Sequence, residues 1–437
     1  MINMRHTYRF RNTPELEGTV ITVENVRGRI VIDPSASRLQ PFSALIQAYF
    51  DSFNAMQPIA SHRGANVYSL YWPPVPSEPH ARFFEDFVRT WFLGRPSPPV
   101  VTVAITDDCQ CRCVHCSADT LSDFHRGPYS LTDLRRIIDE CLSIGVCNMI
   151  FLGGEPLLHK DLEACIAYVP PEMSVTQIFT NGVSLDGERI ASLRAAGLNA
   201  VKISLDSPDP DEHDRLRGRA GTFHAVERGA KLALDAGLLV GLATYATRES
   251  VRDRSLERIA ALAAQWGVHE VTVFDIIPTG RLLRREEMML SEEDRRELLA
   301  QARSLNKHSP SPRILTQSWT NSASRLAKYV GCLAATSQFH ITASGELTPC
   351  DFTPLSFGNV HSESIPRIWN RLVGHPEFCR HSQRCRMQDP NFRKRYIHTI
   401  PEGDPLPHPI DQGAAVPMSR DGDIVSQGRT TGTKTDG

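Results

Sequence analysis

Between Val100 and about Gly280 the chain alternates six times between a short run rich in β-branched residues and a longer amphipathic stretch. The runs are VVTVAI, NMIFL, VTQIFT, AVKIS, LLVGLAT and EVTVFDI, with the length and composition of buried strands. Between them the apolar residues fall at helical spacing. In SLTDLRRIIDECLSIG, Ser130 stands as N-cap with Asp133 in capping-box position, Leu131, Leu134, Ile138 and Cys141 share a face, and Gly145 follows the end. RIASLRAAG, TFHAVERGAKLALDAG and SLERIAALAAQWG repeat the plan, each closing on a glycine. Such alternation implies parallel strands joined by right-handed crossovers. It predicts an α/β fold, either a doubly wound sheet or a partial β/α barrel.

The 437 residues are too many for one ordinary core. Residues 1–97 are read as an α+β accessory region, with a hairpin in GTVITVENVRGRIVIDP and helices in FSALIQAYFDSFNAM and ARFFEDFVRTWFLG. A proline-rich RPSPPV ends this region as a linker. Residues 98–305 hold the strand–helix repeats, 306–400 form a cysteine-bearing extension, and 401–437, rich in Gly, Pro, Thr and Asp, are expected to stay disordered. With 48 Lys plus Arg against 50 Asp plus Glu, no net field attracts nucleic acid or an anionic membrane. No apolar run is long enough to span a bilayer, and the opening residues lack a signal-peptide core, so the expected location is the cytoplasm.

Four of the eleven cysteines, Cys109, Cys111, Cys113 and Cys116, lie within eight residues just after the first predicted strand. In a reducing compartment clustered thiols are metal ligands more often than disulfides. Structural zinc usually pairs two separated knuckles, whereas all four thiols here share one run. Cys109-x3-Cys113-x2-Cys116 suits a loop wrapping an iron–sulfur cube, with three thiolates leaving one iron open. Zinc and unliganded thiols are the alternatives, and Cys111 is the odd residue of the group.

At these residues the chain resembles the radical S-adenosylmethionine (SAM) enzymes. The resemblance implies a partial (β/α)6 TIM-type barrel and a [4Fe–4S] cluster on Cys109, Cys113 and Cys116. It also implies SAM on the open iron, cleaved by one electron to methionine and a 5′-deoxyadenosyl radical. His115 takes the place of the family's aromatic residue near the adenine. FLGGEPLL is similar to the motif for the SAM amino group, here Gly153, Gly154, Glu155 and Pro156. Its glycines are read as letting backbone approach a ligand, and Glu155 as an acceptor for an ammonium. Asn181, Ser204 and Asp206 sit at later strand ends, where chemistry gathers in such barrels. His213, Asp214, Arg217 and Gly218 resemble a further family run that serves equally as a loop network capping the next helix. Where many relatives carry Asn after strand five this chain has Thr244 and Thr247, while Pro278 and Gly280 again match.

Cys332, Cys350, Cys379 and Cys385, with Gly345 five residues before Cys350, resemble the family's C-terminal SPASM or twitch extension. The resemblance implies one auxiliary [4Fe–4S] cluster held by all four, with a role in electron transfer. Cys141, Cys147 and Cys165 read as buried hydrophobes. The expected function is reductive cleavage of SAM followed by hydrogen-atom abstraction from a small-molecule or peptide substrate, with an electron donor such as flavodoxin or ferredoxin. The alternatives are a peptide-maturation factor that recognises a precursor through residues 1–97, and a zinc-binding scaffold.

Overall fold

A computed structural model of the chain describes residues 4–11, 13–14, 17, 19–26, 29–33, 43–119, 129–308, 311–316 and 331–410. An antiparallel sheet of β1 (Met4–Arg9), β2 (Val20–Val26) and β3 (Arg29–Asp33) packs with α1 (Ser43–Asn54) and α2 (Glu78–Trp91). The expected hairpin is β2–β3, and β1 adds an unexpected third strand. Tyr8, Ile21, Val23, Ile46, Phe50, Phe53, Phe84 and Val88 form a separate core here, in which His80 bonds the hydroxyls of Tyr8 at 2.7 Å and Tyr49 at 3.1 Å. A short hairpin, β4 (Ala60–His62) and β5 (Ala65–Val67), follows α1.

The barrel strands are β6 (Val100–Ala104), β7 (Asn148–Leu152), β8 (Val175–Thr180), β9 (Ala200–Ser204), β10 (Leu239–Ala246) and β11 (Glu270–Asp275). They pair in parallel in sequence order, and most of their side chains are buried, which is why the runs read as continuously apolar rather than alternating. Helices α3 (Leu131–Ser143), α4 (Leu162–Tyr168), α5 (Gly187–Ala195), α6 (Pro210–Arg217), α7 (Thr222–Asp235), α8 (Arg248–Arg252) and α9 (Ser255–Trp266) make the connections. The capping box of Ser130 and Asp133 is present at the start of α3.

After α10 (Glu292–His308) the extension does not form a layer apart. β12 (Arg313–Thr316) pairs in parallel with β11, and β13 (Gln338–Ile341) pairs in parallel with β6 and antiparallel with β14 (Leu347–Thr348), so the sheet has nine strands among the described residues. The limit at residue 305 therefore crosses a continuous sheet. The limit at 401 also moves: β16 (His408–Pro409) pairs with β15 (Leu355–Ser356), and Leu406 and Ile410 are buried. Residues 411–437 lie outside the described residues. Among the described residues no helix is long and apolar enough to cross a membrane.

Nor does the RPSPPV linker isolate the N-terminal region. Residues 69–71 enter the amino end of the barrel and meet a layer of polar residues on its strands. Ser69 Oγ and Leu70 N donate to Glu270 at 2.6 and 3.0 Å, Gln177 donates to Leu70 O, and Asn148 Nδ2 donates to Tyr71 O at 3.0 Å. Lys202 Nζ lies 2.9 Å from Glu270, with both side chains fully buried, and 3.3 Å from the centre of the Tyr71 ring. This end of the barrel is plugged, so the carboxyl end is the one left for ligands.

Candidate active site

Residues 105–119 leave the carboxyl end of β6 without regular structure, and neighbouring strand ends grip their backbone. Gly154 N donates to Thr106 O at 2.8 Å and Glu155 N to Asp108 O at 2.7 Å. Arg112 N and Val114 N donate to Arg217 O and Leu216 O at 2.9 and 3.0 Å. Arg281 N donates to Cys116 O at 3.1 Å, and its Nη1 to Cys113 O at 2.9 Å. A Cβ at Gly154 would collide with the carbonyls of Asp107 and Asp108, and one at Gly280, whose φ is +54°, with that of Cys116.

This changes the reading of the Gly–Gly–Glu motif. Gly153 and Gly154 give close approach to the cysteine loop, and a Cβ on Gly153 would strike Thr106. Glu155 is fully buried and turned inward, accepting from Thr180 Oγ1 at 2.7 Å, Asn181 N at 2.8 Å and Leu157 N at 3.1 Å. Burial lifts its carboxyl to about 7 against the pull of these donors. It ties the end of β7 to the end of β8 and caps the short turn begun by Pro156.

The loop brings Cys109, Cys113 and Cys116 close enough to perturb one another electrostatically. Cys109 Sγ accepts from Cys111 N at 3.4 Å and Asn181 Nδ2 at 3.9 Å, and Cys113 Sγ from Arg217 Nη1 at 3.7 Å. Burial raises the Cys113 and Cys116 thiols, whereas hydrogen bonding, led by that from Cys111, lowers Cys109. Among the described residues no three His, Cys, Asp or Glu side chains converge on a single metal-ion position. A polynuclear cluster instead takes each thiolate on a different iron, and three thiols on one short loop, two of them already receiving N–H donors, suit it.

Behind the loop stands a network from β9, α6 and β10. Arg217 Nε lies 2.6 Å from Asp206 Oδ2 and Nη2 donates to Oδ1 at 2.8 Å, while Asp206 N donates to His213 Nδ1 at 3.1 Å. Burial works to raise the Asp206 carboxyl, but Arg217, His115 and His213 outweigh it and hold it low. His115 Nε2 is 3.4 Å from Asp206, and its ring lies 3.9 Å, centre to centre, from that of Tyr245. Burial pulls the His115 imidazole down to about 4, so it is neutral near pH 7. His115 Nδ1, Gln110 Oε1 and Thr244 Oγ1 are buried without a hydrogen-bond partner. Buried polar atoms are rarely left so, and unpartnered ones beside the cysteine loop suit a polar ligand. Asp206, Thr244 and Tyr245 line one cavity.

Of the remaining sequence candidates, Ser204 ends β9 half-buried, and Asn181 joins the site through Cys109. Asp214 accepts from Gly221, Thr222 and Phe223 and so caps α7, and Thr247 caps α8. Gln110, Tyr245 and Arg281 were not singled out from the sequence. Tyr245 adjoins Thr244 and Arg281 follows Gly280, so the strand-end rule could have found both.

In the extension Cys332, Cys350 and Cys385 are buried and electrostatically coupled. Cys332 N donates to Ser382 O at 2.8 Å, and Cys350 Sγ is 3.2 Å from Thr353 Oγ1. Cys379 differs, being exposed with its Sγ 3.4 Å from Pro376 O. Cys141, Cys147 and Cys165 are fully buried in the core.

Residues 103–247 match the family model of the radical SAM superfamily, and residues 332–388 match that of an iron-sulfur cluster-binding domain, SPASM. The chain is 27% identical over 301 residues to an AdoMet-dependent heme synthase of Nitratidesulfovibrio vulgaris, covering 65% of this chain and 82% of that protein. It is 26% identical over 289 residues to a PqqA peptide cyclase of Granulibacter bethesdensis, covering 64% and 75%. Among solved structures, Streptococcus suis SuiB bound to precursor peptide SuiA superposes with a TM-score of 0.54 at 15% identity, covering 80% of this chain and 84% of that one, which shows a shared fold. The iron–sulfur match sets the zinc-scaffold reading aside. By these matches residues 103–247 form a radical SAM domain and residues 332–388 a C-terminal SPASM domain, and the chain is an enzyme that uses SAM and iron–sulfur clusters.

Proposed function

We propose that Cys109, Cys113 and Cys116 hold the SAM-binding [4Fe–4S] cluster, and that Cys332, Cys350 and Cys385, with Cys379 as fourth ligand, hold an auxiliary one. The observation that carries this is the clasped loop at the open end of the barrel, three grouped thiols beside buried polar atoms that lack partners. When bound, the cluster and SAM supply a one-electron cleavage to a 5′-deoxyadenosyl radical that takes a hydrogen atom from substrate.

The chain's own residues position and exclude. Glu155 fixes the strand ends, and Asn181 and Arg217 hold two of the thiolates. Asp206, His115 and Ser204 face SAM, with His115 and Tyr245 offering an aromatic surface for the adenine. Leu70 and Tyr71 close the amino end, so substrate enters from the carboxyl side. A flavodoxin or ferredoxin supplies the electron, in the cytoplasm.

For the substrate, a peptide is the favoured class. The N-terminal module of three strands and two helices lies outside the barrel match, a peptide cyclase is among the relatives, and SuiB shares the fold. The AdoMet-dependent heme synthase relatives make a tetrapyrrole the second reading. Anaerobically loaded protein with SAM and dithionite, assayed for 5′-deoxyadenosine, tests both. A peptide encoded beside the gene is expected to gain a mass change and raise turnover; stimulation by an iron porphyrin alone would reverse the choice.

A further inference from the structure

We infer that Arg217 is a positioning residue that makes the iron–sulfur group on Cys113 easier to reduce, with Asp206 holding its guanidinium in place. The inference rests on the assignment of Cys113 as a cluster ligand. Three observations carry it. Arg217 closes α6, and its own carbonyl accepts Arg112 N from the cysteine loop at 2.9 Å, so its backbone is tied to that loop. Its side chain is only 11% exposed, with Nη2 donating to Asp206 Oδ1 at 2.8 Å and Nε in ion-pair contact with Oδ2 at 2.6 Å without hydrogen-bond geometry, and that carboxylate is itself 1% exposed. The remaining Nη1 points at Cys113 Sγ, 3.7 Å away.

A guanidinium presents its donors in a rigid plane, so engaging a carboxylate with one edge fixes where the remaining donor points; a lysine offers no such plane. Reduction adds one electron, here from dithionite, to the cluster and its sulfur shell. A buried cation hydrogen-bonded to a ligand sulfur stabilises the added negative charge and raises the potential, since hydrogen bonds to sulfur and local charge set cluster potentials. Asp206 offsets part of that charge from the far edge of the guanidinium.

The test is a dithionite titration of the anaerobically reconstituted full chain without SAM, followed by EPR. The component missing from Cys113→Ala identifies the cluster in question. In Arg217→Gln that component is expected to become at least tenfold harder to reduce, a shift of 59 mV to lower potential for one electron. Arg217→Lys keeps the charge without the planar guanidinium and should shift less in the same direction. Unchanged titration in Arg217→Gln overturns the inference while leaving the cluster assignment standing. Failure of both Arg217 variants to load iron also overturns it, in favour of a purely structural role. A wild-type protein with no Cys113-dependent component overturns the cluster assignment, and this inference with it.

Discussion

The two ends of the barrel use buried polar residues in opposite ways. At the amino end Asn148, Gln177, Lys202 and Glu270 meet Ser69, Leu70 and Tyr71, and the ion pair is ringed by donors and an aromatic face. At the carboxyl end His115, Gln110 and Thr244 keep buried atoms without partners, and the thiols next to them sit on a loop with no regular structure. Of the four amino-end side chains only Gln177 leaves a buried atom, Oε1, without a partner; a nearly satisfied buried network is a structural joint, and a cluster of unpartnered atoms beside free thiols is a place prepared for something else. The sheet is continuous between them, so the barrel separates the rigid joint from the reactive site by the length of its strands.

The largest effect that sharpens this contrast concerns the second cysteine group, remote in sequence from either barrel end. Cys350→Ala is expected to abolish substrate turnover while 5′-deoxyadenosine formation stays measurable. Parallel loss of both activities, followed by chromatography of the products, would merge the two centres into one function. Next comes the plug. Glu270→Ala leaves Lys202 buried without its carboxylate and should cost about 3–5 kcal/mol in denaturant unfolding, yet the folded fraction should retain the iron of the cysteine loop. Iron loss from well-folded Glu270→Ala protein would break the claim that the two ends are separate. Smaller is Gly280→Ala, which drives a Cβ into the Cys116 carbonyl at a positive φ. More than about 1 kcal/mol of destabilisation is expected, together with poorer iron loading; wild-type loading would show that the loop needs no grip from the turn after β11.

The β/α alternation was legible in the sequence because strands covered on both faces carry uninterrupted apolar, β-branched residues, as in NMIFL and AVKIS. The cysteine loop was legible because its thiols are adjacent in the chain. The plug was not: Ser69 contacts Glu270 across 201 positions, and such a contact leaves no local period to read. The strands β12 and β13 were missed for a related reason, since each is only four residues long and joins the sheet through partners far away in sequence. The glycine motif was seen but its purpose was not. Only the fold reveals that Gly153 and Gly154 press against Thr106, Asp107 and Asp108. The three internal donors to Glu155 are likewise visible only in the fold. Arg217 was read evenly between helix capping and ligand contact. The fold divides the run, with Asp214 serving the helix cap and Arg217 the cysteine loop.

The most direct test of the account compares wild type with Cys113→Ala after anaerobic loading with iron and sulfide, given dithionite and SAM and assayed for 5′-deoxyadenosine. The account predicts steady formation of the nucleoside by wild type and none by the variant, with iron falling by about one cluster's complement. Equal product from both proteins, or a wild-type chain that takes up zinc at the loop and leaves SAM intact, would contradict it.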